Sequence, residues 1–68
     1  MKNVLAELRK EYGISQDELA KKLKVSRQTI GSLEKGRYNP SILLAYNIAK
    51  FFSRSIEEIF IFEEDENE

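Results

Sequence analysis

Residues 15–36 read Ser15-Gln16-Asp17-Glu18-Leu19-Ala20-Lys21-Lys22-Leu23-Lys24-Val25-Ser26-Arg27-Gln28-Thr29-Ile30-Gly31-Ser32-Leu33-Glu34-Lys35-Gly36. The stretch holds two helix starts. Ser15 is placed to cap, Glu18 three residues on completes a capping box, and Ile14 can staple to Leu19. Only Lys24 and Val25 separate Leu23 from the second cap, Ser26, and Val25 can staple to Ile30 in the same way. Leu19, Ala20 and Leu23 give the first helix one inward face; Ile30 and Leu33 give the second its own. Gly36 stands where a left-handed stop is expected. The spacing predicts helices over 16–23 and 27–35, and two short helices joined by so tight a connection must cross steeply.

Upstream, Val4, Leu5, Leu8 and Tyr12 fall at helical spacing before Gly13, which predicts a helix over 2–12. Downstream, Pro40 bars a helix through the loop Arg37 to Ser41. Ile42, Leu44, Ala45, Ile48, Ala49 and Phe52 then mark a strongly apolar helix over 42–52, read as the strut of the core. Ser55 and Glu58 form another capping box for a short helix over 56–60. Ile59-Phe60-Ile61-Phe62 is too hydrophobic to leave in water, and residues 63–68 form an acidic tail. The expectation is an all-α fold of five helices in a single domain spanning 1–68.

Composition narrows what such a chain can do. Its 68 residues need tight helix packing or a partner subunit, because so short a chain buries a modest share of its surface. With no cysteine and no histidine it has neither disulfides nor the usual zinc ligands. Nor is there a glycine-rich phosphate loop, so no catalytic residue, metal, cofactor or small-molecule substrate is expected. No apolar run is long enough for a membrane span and none resembles a leader, so a soluble cytoplasmic protein is expected. The net charge of −1 conceals a division: residues 1–54 hold all eleven bases against five acids, while 55–68 hold seven acids and no base. A body of +6 can attract phosphate, and a segment of −7 should point away from it or screen it.

The segment 27–35 carries the most information. With Ile30 and Leu33 turned inward, its outward flank is Arg27, Gln28, Gly31, Ser32 and Lys35, short or amide side chains and bases without acids. Arginine can hold guanine O6 and N7 with two hydrogen bonds, and glutamine can hold adenine N6 and N7 likewise. Gly31 weakens the helix by roughly 1 kcal/mol relative to alanine, which suggests that a close neighbour must approach there. Thr29 occupies the slot that Glu18 and Glu58 fill in the other capped helices. A carboxylate there would help the helix dipole but repel a phosphate docked on the helix end. Gln16, Ser26, Thr29, Lys35, Arg37, Tyr38 and Asn39 are the candidates for phosphate contact; Tyr38 could instead pack over Pro40.

The run from Ser15 to Ile30, with Asn39-Pro40-Ser41, Ile48-Ala49-Lys50 and Ser55-Ile56-Glu57-Glu58-Ile59-Phe60, strongly resembles the Cro/XRE helix-turn-helix family over nearly all of residues 3–60. The resemblance implies a five-helix, lambda-repressor-like domain with the segment 27–35 in the major groove of double-stranded DNA. Base readers then fall on Arg27, Gln28 and Ser32, and a phosphate-anchoring amide on Gln16. It also implies a partly buried ion pair of Arg9 with Glu34. Two departures stand out: Ser53-Arg54 replaces a frequent Gly-Val and removes a staple, and Lys24 replaces a frequent glycine, so Lys24 is expected at positive φ. The overall shape resembles compact cytolysin-repressor-like members of the family, in which a short C-terminal strand follows the last helix. Ile61 to Glu63 would be that strand, pairing with Met1–Asn3 or with another subunit.

These readings predict a homodimer joined through Ile59, Phe60, Ile61 and Phe62, bound to a near-palindromic operator and acting in transcription regulation, as a repressor. The alternative on the same fold is an antitoxin or protein-interaction adaptor. Loss of DNA binding should have let acids or large apolar residues onto the outward flank of 27–35, and none is there.

Overall fold

In a computed structural model, residues 1–62 are described, and five helices follow in order: α1 Leu5–Glu11, α2 Gln16–Leu23, α3 Arg27–Glu34, α4 Ile42–Phe52 and α5 Ile56–Ile59. The acidic tail 63–68, and with it Glu63 of the expected strand, lies outside the described residues. Each helix from α2 onward starts on a serine whose hydroxyl accepts the backbone N–H three residues on. In α2 and α5 the reciprocal bond is also made, from the Ser15 and Ser55 N–H groups to Glu18 and Glu58, each at 2.8 Å. Both boxes satisfy helix-end donors that would otherwise lack partners.

The first four helices stop in the same way. In each, one N–H reaches back five residues and the preceding one three: Ile14 to Arg9 and Gly13 to Lys10, Val25 to Ala20 and Lys24 to Lys21, Arg37 to Ser32 and Gly36 to Leu33, Arg54 to Ala49 and Ser53 to Lys50. This paired closure needs a left-handed residue, supplied by glycine twice, but by Lys24 (φ 61°) and Ser53 (φ 57°) in the other two turns. Lys24 therefore has the positive φ expected of it. Ser53 closes the α4–α5 turn in the same geometry without a glycine.

One core joins all five helices. Leu5, Leu8, Leu19, Ile30, Leu33, Ile48, Phe52 and Ile59 are buried together, and Ile14 and Val25, the two staple residues, pack on its edge. Tyr12 caps one side, its ring edge-on to Phe52 at 4.9 Å and its hydroxyl donating to the Phe52 carbonyl at 3.1 Å. No polar or charged residue is buried among the described residues, and no buried side-chain polar atom there lacks a partner.

The chain start departs from the expected helix over 2–12. α1 begins at Leu5, because residues 1–3 form an extended leg against the chain after α5. Asn3 bridges Phe60 in antiparallel fashion, with bonds from Val4 N–H to the Ile59 carbonyl (2.9 Å) and from Ile61 N–H to the Lys2 carbonyl (2.8 Å). Asn3 also does the work of a cap, its Oδ1 accepting from Leu5 N–H at 3.0 Å while its Nδ2 donates to the Leu33 carbonyl at 2.8 Å. Extended pairing thus occurs at Phe60, one residue before the expected strand at Ile61, and it shortens α5 to Ile59.

Replacing Ser53 with glycine should stabilise the chain by about 0.5–1 kcal/mol, since a left-handed residue with a Cβ is strained and glycine returns part of the gain as unfolded-state entropy. Thermal unfolding should show a rise of a few degrees for Ser53→Gly and a fall for Ser53→Val. Identical melting of all three would show that the turn carries no strain.

Candidate nucleic-acid interface

α3 is fixed from within. Ile30 and Leu33 are fully buried, so the opposite flank must face out. Arg27 and Gln28 are exposed there, and Thr29, Gly31 and Ser32 are half-exposed. A Cβ placed on Gly31 would meet nothing within 4 Å. The glycine therefore makes no room for a neighbour inside this fold, and the space it leaves opens outward.

The start of α3 holds no acid. Ser26 Oγ accepts the Thr29 N–H at 3.0 Å and lies 2.8 Å from Thr29 Oγ1. Two neutral hydroxyls thus stand where α2 and α5 have a carboxylate, and the positive end of the helix dipole is left uncancelled. Ser26, Gln28, Thr29, Ser32, Arg37 and Tyr38 line one open polar concavity. Six of the residues read from the sequence, from α3, its N-cap and the loop after it, are thereby brought to one surface.

Others stand apart from that concavity. Arg27 is exposed at the first position of α3. Lys35, at the far end, lines a different hollow with Glu7, Glu34 and Gly36. Asn39 borders a third hollow with Met1, Lys2, Ile61 and Phe62. Tyr38 is 43% exposed and shares the polar concavity, whereas Pro40 lines an apolar hollow with Ile42 and Phe62.

The last residue of α3 is the node that holds this surface in place. Arg9 Nε lies 2.6 Å from Glu34 Oε2, its Nη2 donates to Glu34 Oε1 at 3.3 Å, and its Nη1 donates to the Ile14 carbonyl at 3.0 Å. Gln16 Nε2 donates to the same Glu34 Oε1 at 2.9 Å. One carboxylate therefore ties α1, the start of α2 and the end of α3, and it orients the Gln16 amide. Burial alone would raise the Glu34 pKa, but the hydrogen bonds from Arg9 and Gln16, with the charges of Arg9 and Lys10, outweigh it and hold it below its ordinary 4.5. The hydrogen bond to Glu34 raises Arg9 in turn, against its own desolvation.

Two expectations about apolar residues are corrected. Ile59 and Phe60, assigned to a subunit contact, are 0% and 1% exposed within one chain, because the N-terminal leg closes over them. Only Ile61 and Phe62 of that quartet are exposed. Ile42, assigned to the core, is 87% exposed and stands beside exposed Leu43 and Tyr46. Leu43 and Tyr46 were not among the expected surface residues, though the apolar run at 42–46 is wider than one helix face can bury.

The fold is that of a helix-turn-helix domain. A family model described as helix-turn-helix matches residues 5–59, from the first residue of α1 to the last of α5. The chain belongs to the Cro/C1-type (XRE) helix-turn-helix family of DNA-binding transcriptional regulators. It is 58% identical over 66 residues to an uncharacterized HTH-type transcriptional regulator of Methanocaldococcus jannaschii, covering 97% of this chain and 100% of that one. An Archaeoglobus fulgidus protein of the same description is 53% identical, covering 97% and 94%. The Bacillus subtilis regulator YgzD is 48% identical over 65 residues, covering 96% and 98%. No helix among the described residues is long and apolar enough to cross a membrane.

The Glu34 node makes stability depend on pH. Because its carboxyl titrates lower in the folded than in the unfolded chain, its contribution is complete above the ordinary 4.5 and is lost as the pH falls through the folded value. Glu34→Gln should cost about 1.5–3 kcal/mol at pH 7, the range for a hydrogen bond to a charged group. The gap from the parent protein should then narrow as the pH falls from 7 to below 4.5. Denaturant titrations of both proteins across that range check it; a gap constant with pH would remove Glu34 from the titration.

Proposed function

We propose that this protein is a sequence-specific regulator that lays α3 in the major groove of double-stranded DNA, with Arg27, Gln28 and Ser32 reading base edges. The observation that carries the reading is the outward flank of α3: polar, free of acid in its first turn, open at Gly31, and backed by two fully buried side chains. A helix of this width fits the major groove, and its side chains offer the donors and acceptors that base edges require. Ser26, Thr29, Arg37 and Tyr38 surround the readers and grip phosphate, aided by the helix N-terminus. Gln16, held by Glu34, adds a phosphate contact, and Lys35 and Asn39 contribute from the flanks of the groove.

The protein acts as a homodimer. Two copies of α3 about 34 Å apart meet successive turns of one face of B-DNA, so the operator is a near-palindrome. Over a promoter such a dimer represses by excluding polymerase. The +6 of residues 1–54 draws the body to DNA.

Selection of bound sites from random DNA, at a stated salt concentration, tests the reading. Arg27→Ala should weaken the selected site by roughly 1–3 kcal/mol and relax preference at one position of each half-site. Arg37→Ala should weaken all sequences alike and reduce the salt slope by about one. An unchanged selected site for Arg27→Ala would remove it from base reading.

A further inference from the structure

Residues 1–3 reach the end of α3, and one side chain makes the junction. Asn3 is half-buried two residues before α1, its backbone held by the bridge to Phe60, whose own side chain is buried. The Asn3 amide makes three hydrogen bonds at once. Its Oδ1 accepts the Leu5 N–H at 3.0 Å, while its Nδ2 donates to the Leu33 carbonyl at 2.8 Å and to the Met1 carbonyl at 3.1 Å. A flipped amide would turn its oxygen on two carbonyl oxygens and its NH2 on an N–H, so the orientation is forced. An aspartate lacks the donor, and a serine lacks the reach.

The carbonyl that Asn3 holds belongs to the turn that ends α3. Leu33 also accepts the Gly36 N–H at 3.0 Å, and the Arg37 N–H bonds the Ser32 carbonyl at 3.0 Å, so these two bonds close the helix and launch the chain beyond it. Arg37 leaves directly from this closure and enters the polar concavity beside Ser26, Thr29 and Ser32. Its side chain has no hydrogen-bond or ion-pair partner among the described residues, so only the backbone beneath it sets its direction. We infer that Asn3 is a positioning residue for DNA binding: by tying the closing turn of α3 to residues 1–3, it aims Arg37 at phosphate. Glu34 and Asn3 then divide one task. The Glu34 node fixes the rotation of α3 and with it the base readers, whereas Asn3 fixes the turn after α3 and with it the phosphate grip. The assignment rests on the reading of Arg37 as a phosphate contact and names what holds that contact in place.

A double-mutant cycle on DNA affinity, at one stated salt concentration, tests it. Asn3→Ser keeps an oxygen for the Leu5 N–H, a bond serine makes readily, but it cannot span to the Leu33 carbonyl. Circular dichroism should show a native helix content. Binding to every sequence should weaken roughly fivefold per bound subunit, about the net worth of one hydrogen bond, with the selected site unchanged. Beside Arg37→Ala the same substitution should cost less than about twofold, and beside Arg27→Ala it should cost the full factor. Equal losses in every background would make Asn3 a residue of the fold alone and overturn the inference, as would a single variant that binds like the parent. Should Asn3→Ser unfold, Asn3→Asp keeps the acceptor and the length without the donor and carries the same cycle. An Arg37→Ala protein that binds DNA as tightly as the parent would remove the phosphate grip itself, and the inference with it, before any Asn3 variant is measured.

Discussion

The arrangement depends on one carboxylate. Glu34 closes α3, and through it Arg9 of α1 and Gln16 of α2 are tied to the end of the helix that carries the candidate base readers. Ile30 and Leu33 decide which flank of α3 is buried, but two apolar side chains on a two-turn helix leave it free to rock about its own axis. A bidentate arginine–carboxylate pair resists that motion because its geometry is planar and directional. The Asn3 amide on the Leu33 carbonyl and the Met1 amine on the Gly36 carbonyl hold the same end of α3 from the chain start. A Cβ at Gly36 would come within 3.3 Å of the Met1 carbonyl oxygen, so this leg packs tightly against the end of α3.

Much of this could be read in the sequence, for a local reason. Caps, boxes and left-handed stops are decided by residues within five positions of one another, so Ser15 with Glu18, Ser26, Ser55 with Glu58, Gly13 and Gly36 placed the helix ends to within one to three residues. The outward flank of α3 followed, because only Ile30 and Leu33 could face in. What escaped depends on distant pairing. The family resemblance offered Met1–Asn3 as one of two partners for a strand at Ile61 to Glu63, but no local signal placed the bridge at Phe60, where it starts α1 late and buries Phe60. In α4 the pattern itself is ambiguous. A run such as Ile42-Leu43-Leu44-Ala45-Tyr46 wraps more than half of a helix, and periodicity cannot choose the face that α2 and α5 will cover.

The partition of those apolar residues bears on how so short a chain holds together. Leu44, Ala45, Ile48, Ala49 and Phe52 belong to the core, while Ile42, Leu43 and Tyr46 add nothing to it. One face of α4 stabilises the subunit and the other is exposed. With no cysteine for a disulfide, the small subunit core rests on close packing of the buried face.

α3 combines weak local support with a strict demand on its position. Its first turn lacks the acid that would favour the dipole, its third position carries a hydroxyl instead of the capping glutamate of α2 and α5, and Gly31 sits in its interior. Each of these lowers intrinsic helix stability, by up to about 1 kcal/mol for the glycine alone. Each also clears charge or bulk from the face that a polyanion would approach. The deficit is made up by tertiary contacts at the buried flank and at the C-terminal end: Ile30, Leu33 and the Glu34 node. Support placed there leaves the N-terminal half of the helix unobstructed, so stability and access occupy opposite sides and opposite ends of eight residues.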